Sequence, residues 1–181
     1  MNKALPLCCV LLALAAPKSF AYGGLDLTAV ACNTNTKPPP STTFNFDCAA
    51  PGVPQTVFAC FQITTALDSV VSLDADLRLA VDDPGLPDWW HFGTGGCNEG
   101  GVSISLVPSP SLCVGATNPW GTEAVGGVSY LPKGQDPSPG NGFFAVFAAV
   151  PTQASFTLNP GNYFAFSLNF FSDNEIGRAH V

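Results

Sequence analysis

The chain has 181 residues, 46% of them hydrophobic and only 10% charged, with 6 basic against 13 acidic side chains and a formal charge of −7. A net-acidic chain without a Lys/Arg cluster is a poor partner for nucleic acid or an anionic membrane. The low charge content excludes a coiled coil, the apolar content excludes a wholly disordered chain, and the length fits one domain.

Met1–Ala21 reads as an export signal. Lys3 supplies the positive end, Leu5–Ala16 the apolar run, and Ser19 and Ala21 the small residues before a cleavage site. The run is short for a membrane anchor. Cys8 and Cys9 lie inside it without the context of a lipoprotein and leave with it. The mature chain is expected to start at Tyr22, to be secreted or held at the cell surface, and to have no membrane association of its own.

The segment 22–174 reads as strands and turns. Thr56–Thr65 is rich in β-branched and aromatic residues, as a strand should be. Ser72–Val81 alternates, with Leu73, Ala75, Leu77 and Leu79 on one face and Ser72, Asp74, Asp76 and Arg78 on the other. Val102–Val107 and Val125–Leu131 are shorter candidates. Phe143–Val150 is apolar on both faces and suits a central strand. Phe164, Phe166, Leu168 and Phe170 alternate with Tyr163, Ala165, Ser167 and Asn169. Turns such as Asp83-Pro84-Gly85, Pro108-Ser109-Pro110 and Asn159-Pro160-Gly161 separate the runs. Many short strands with frequent turns predict an all-β sandwich.

Leu158-Asn159-Pro160-Gly161-Asn162-Tyr163 resembles the tyrosine corner of immunoglobulin-like sandwiches, in which a Tyr hydroxyl bonds back to nearby backbone. The resemblance implies an immunoglobulin-like antiparallel β-sandwich, with Ser155–Leu158 as strand E and Tyr163–Phe171 as strand F. The chain then ends Ile176-Gly177-Arg178-Ala179-His180-Val181, which resembles a translated sequencing adapter. Residues 175–181 are therefore expected to be an artefactual tail. On that reading the last strand is missing, strand F has an unpaired edge, and His180 carries no information.

Five cysteines follow the signal: Cys32, Cys48, Cys60, Cys97 and Cys113. In an exported chain they predict disulfides. The favoured pairs are Cys32–Cys48 and Cys97–Cys113, each closing a loop rich in Pro, Gly and polar residues, with Cys60 buried in a strand, either as a plain core thiol or with its partner in the missing C-terminal part. No Cys-x-x-Cys pair points to zinc. No cofactor is expected.

Residues that could carry chemistry are few. His91, between Trp90 and Phe92, reads as a structural histidine. Asp74 and Asp76 share a strand face and are candidates for paired-carboxylate glycoside hydrolysis, against the plainer reading of a solvated face. Asp82, Asp83 and Asp88 are weak calcium candidates in a Pro/Gly-rich loop, though their spacing matches no known calcium loop. Trp89, Trp90 and Trp120 are candidate sugar-stacking rings, against the alternative that they fill the ends of the sandwich.

The order of Cys32-Asn33-Thr34-Asn35, Leu86-Pro87-Asp88-Trp89-Trp90-His91-Phe92, Gly96-Cys97, and Gly161-Asn162-Tyr163-Phe164-Ala165-Phe166 resembles a group of small exported bacterial proteins found mainly in environmental sequences. That group has no assigned activity, so the resemblance implies no catalytic residues. The expectation is a secreted, non-enzymatic binding or structural module whose partner is an extracellular glycan or a cell-surface component. The alternatives are a carbohydrate-binding module using exposed Trp and a glycoside hydrolase using paired Asp.

Overall fold

The computed structural model describes residues 24–29, 32, 54–79, 90–96, 98–132 and 142–171. Nine strands follow in order: β1 (Leu25–Thr28), β2 (Gln55–Ile63), β3 (Leu67–Val70), β4 (Ser72–Leu79), β5 (Val102–Ser105), β6 (Val125–Pro132), β7 (Gly142–Ala149), β8 (Phe156–Leu158) and β9 (Gly161–Phe170). They form a four-stranded sheet ordered β1-β2-β9-β5, a three-stranded sheet ordered β4-β7-β6, and a β3-β8 pair. All strand pairs are antiparallel.

The two larger sheets face each other across a core, giving an all-β sandwich. Ala59, Phe166 and Leu168 from the first meet Phe144 and Val146 from the second. Phe92 joins them from the loop before β5 and meets the rings of Phe144, Phe170 and Tyr130 edge-on or tilted. The period-two reading of β4 holds: Ser72, Asp74, Asp76 and Arg78 are exposed, while Leu73, Ala75, Leu77 and Leu79 are half-buried against the core. β7 is central in its sheet, as expected. Two short strands, β1 and β3, give no sequence signal. Each has four residues, and β3 is largely exposed, with Ser69 in the left-handed region at φ 58° where its ladder with β8 shifts register.

Two expectations for β9 are corrected. Its edge away from β2 is not left open, because β5 pairs with Ser167–Phe170 there and Thr117 exchanges backbone hydrogen bonds with Asn162 and Phe164. Nor does it keep one alternation from end to end. One step on β2, Ala59 to Cys60, matches two steps on β9, Phe166 to Phe164, so Ala165 is the extra residue of a β-bulge. Ala165 and Phe166 therefore join the same cluster, and Phe164 turns to the other, with Phe58, Cys60, Cys113 and Trp120.

The corner before β9 is as the motif implies. The Tyr163 hydroxyl donates to the Asn159 carbonyl at 2.7 Å, across the Pro160-Gly161 turn.

The disulfide is also corrected. Cys32 bonds to Cys113, 81 residues away, with Cα atoms 4.3 Å apart. Neither expected pairing can then form, since each used one of these two sulfurs. The backbone brings them together: the Cys32 N–H donates to the Leu112 carbonyl at 2.8 Å, and the Cys113 N–H to the Ser109 carbonyl at 2.9 Å. Cys48 and Cys97 lie outside the described residues. Cys60 is buried, as expected, and is a free thiol.

Candidate functional site

The two described tryptophans, Trp90 and Trp120, pack against other rings of the fold. Trp120 is 7% exposed; its indole N–H donates to the Ala165 carbonyl, and its ring meets Phe156 edge-on. With the N–H satisfied internally and the ring covered, no face is left for a ligand. Trp90 is half-buried and packs edge-on against Phe92 and Phe170. Trp89, Asp82, Asp83 and Asp88 lie outside the described residues. The His91 carbonyl accepts from the Asn98 N–H at 3.1 Å, and a Cβ on Gly96 would overlap the same carbonyl oxygen. These backbone contacts hold the described part of the segment before β5 in tight turns. Among the described residues no group of three or more His, Cys, Asp or Glu side chains is placed to hold a metal ion. Among them, too, no helix is long and apolar enough to cross a membrane.

Among the described residues the exposed aromatic ring is Phe147, on the outer face of β4-β7-β6. Its neighbours Phe144, Val146 and Ala148 point into the core, while Phe147 is 46% exposed. Ladder register sets its surroundings, because residues directly opposite share a face. Phe147 lies between Asp74 on β4 and Gly127 on β6; the next row is Asp76, Ala145 and Ser129. A Cβ on Gly127 would overlap ring atoms Cε1 and Cζ of Phe147. The ring thus reaches over the glycine and stays 46% exposed. Beside it, Ala145 and Ser129 floor a shallow hollow of about 280 Å³ that Asp74 and Asp76 border. The Ser72 hydroxyl reaches the Asp74 carboxylate at 3.5 Å. Sequence reading placed Phe147 in a central strand and did not see it as a platform. The small residues opposite and beside it (Gly127, Ala145, Ser129) were the available signal.

A second concavity, of about 480 Å³, crosses the outer face of β1-β2-β9-β5. Phe58 and Ser167 are paired at its base, and Thr56 and Asn169 beside them. The Thr56 hydroxyl donates to Oδ1 of Asn169 at 2.8 Å. The loop after β5 forms one wall through Val107, Ser109 and Leu112. The Cys32–Cys113 bond anchors that wall to the segment following β1.

No protein-family model, curated protein or solved structure matches this chain.

Titratable groups inside the fold are tuned by burial. Burial, and secondarily the Asp26 carboxylate across the β1–β2 ladder, pushes the Cys60 thiol from 9.0 up to about 12. Cys60 is thus a neutral core thiol and a poor nucleophile. Burial also raises the Tyr130 phenol above its ordinary value.

Proposed function

We propose that the protein is a secreted, non-enzymatic glycan-binding module, and that it holds a sugar ring on Phe147. The carrying observation is the half-exposed Phe147 ring beside a hollow bordered by two carboxylates and a hydroxyl. An aromatic face suits the C–H face of a pyranose, and ionised carboxylates are strong acceptors for its hydroxyls. Arg78 stands on the same face two residues from Asp76, so the row carries both signs of charge and favours a neutral, hydroxyl-rich ligand over a simple cation. An immunoglobulin-like class for the sandwich is part of this reading, supported by the Tyr163–Asn159 hydrogen bond.

The same geometry argues against hydrolysis. Asp74 and Asp76 are alternate residues of one strand and approach a sugar on the platform from the same side. Glycoside hydrolysis needs an acid at the leaving oxygen and a base or nucleophile at the opposite face of the ring.

The test is calorimetric titration of the full chain with neutral hexasaccharides of glucose, xylose and mannose. Binding by at least one, weakened tenfold or more in Phe147→Ala and several-fold in Asp74→Asn/Asp76→Asn, is expected, with no release of reducing sugar. Binding that survives Phe147→Ala unchanged would remove the platform. Turnover lost on Asp76→Asn would replace the module with an enzyme.

A further inference from the structure

The neutral concavity on the opposite sheet is unused by the reading above, and its chemistry is specific. Six polar side chains line it: Gln55, Thr56, Ser105, Ser109, Ser167 and Asn169. None is ionisable, although the chain carries a formal charge of −7. The volume of about 480 Å³ lies within the range of small-ligand sites. We infer that this groove is a second ligand site, which takes an uncharged, polyhydroxylated ligand of the same glycan class.

The groove offers uncharged side chains. It has no charge to neutralise an anion or a cation, so a charged ligand would lose its hydration without recompense. It lies on the face of a sheet and not along an edge. The backbone groups of Gln55, Thr56, Ser105, Ser167 and Asn169 sit in the β2–β9 and β5–β9 ladders. An extended peptide adds to a sheet through free main-chain groups, and Ser167 and Asn169 at the base of the groove have a strand on both sides. What remains is side-chain hydroxyls and amides, which act as both donors and acceptors. Sugar hydroxyls do the same. The Thr56 hydroxyl bond to Oδ1 fixes the Asn169 amide plane and leaves the Nδ2 hydrogens to donate. Exposed Val107 and Leu112 on the wall offer apolar contact for ring C–H groups.

The two sites face opposite ways. Ser167 and Asn169 alternate with core-facing Leu168 on one sheet, and Phe147 alternates with core-facing Val146 and Ala148 on the other. No short ligand can span both, so two occupied sites join two separate chains, and on a dense glycan surface the second contact is strengthened by effective concentration.

This inference rests on the glycan-binding reading, and one titration separates the two. The full chain is titrated with the best neutral hexasaccharide of the panel, and amide shifts of the wild-type protein are followed by NMR. The expected result is two equivalents bound. Phe147→Ala should leave one equivalent, with shifts at Thr56, Ser105 and Asn169. Thr56→Val/Asn169→Leu, which removes both partners of one hydrogen bond together, should leave one at Phe147. A single equivalent that Phe147→Ala abolishes, with no wild-type shifts at Thr56 or Asn169, overturns the second site and leaves the proposed function standing. A single equivalent mapped to the groove and indifferent to Phe147→Ala overturns the platform and keeps the groove. No binding by any probe overturns both. The wild-type shifts decide the matter even where a variant does not fold.

Discussion

The indole N–H of Trp120 donates to the carbonyl of Ala165, the one residue of β9 between Gly161 and Phe170 that has no partner on β2. The two facts are linked. The bulge takes Ala165 out of the ladder, its carbonyl still needs a donor inside the protein, and Trp120 provides one from the loop before β6. Trp120→Phe keeps an aromatic ring but removes the N–H, leaving a buried carbonyl unsatisfied. A loss of about 1–3 kcal/mol is expected, read by urea unfolding. An unchanged midpoint would mean that water or another donor serves Ala165.

Gly127 and Phe147 form a second coupled pair. Gly127→Ala places a methyl group where the ring lies. Because Phe147 is a surface ring, it can swing away, so the stability cost should be at the low end of overpacking, about 1 kcal/mol. Glycan affinity should nonetheless fall as far as in Phe147→Ala. In a Phe147→Ala background the same substitution should do nothing further, and a double-mutant cycle reads that coupling.

The corner hydrogen bond makes a smaller contribution. Tyr163→Phe removes only the hydroxyl that donates to Asn159 and keeps the ring stacked on Phe61 at 5.4 Å. A loss of about 1 kcal/mol is expected, with the β8–β9 turn the first region to exchange its amide hydrogens.

Reduction should be more damaging. A cross-link spanning 81 residues removes much chain entropy from the unfolded state, about 4–5 kcal/mol in the loop-closure picture. Cys32→Ser or added reductant should lower the unfolding midpoint accordingly. It should also loosen the groove wall at Ser109 and Leu112, so binding in the groove should weaken more than binding at Phe147.

The Cys60 thiol gives a pH signature. Its folded value of about 12 lies above the 9.0 of an unfolded cysteine. Between those values the unfolded chain has lost its thiol proton and the folded chain keeps it. Stability should therefore be flat below pH 9 and fall as pH rises from 9 toward 12. Cys60→Ala should remove that part of the slope. An alkylating reagent at pH 8 should modify Cys60 only after denaturant is added.

The sequence by itself determined where most strands run, because strand and turn signals are local. Alternation marked β4, β-branched and aromatic content marked β2, paired apolar faces marked β7, and Asn159-Pro160-Gly161 with Tyr163 marked the corner into β9. It also placed Cys60 in a strand and buried it there. Only the tertiary structure decided which way side chains face and what they touch. The Ala165 bulge depends on how β2 registers against β9, and a shift of one residue there sends Phe164 into a different cluster from Phe166. The Cys32–Cys113 pair depends on a loop returning across 81 residues, which spacing along the chain does not encode. Trp120 is buried because a distant carbonyl needs its N–H, and Phe147 is exposed because Gly127, on the neighbouring strand, leaves room for its ring. Each of these outcomes turns on contacts between residues far apart in sequence, so it became visible only once the strands were paired.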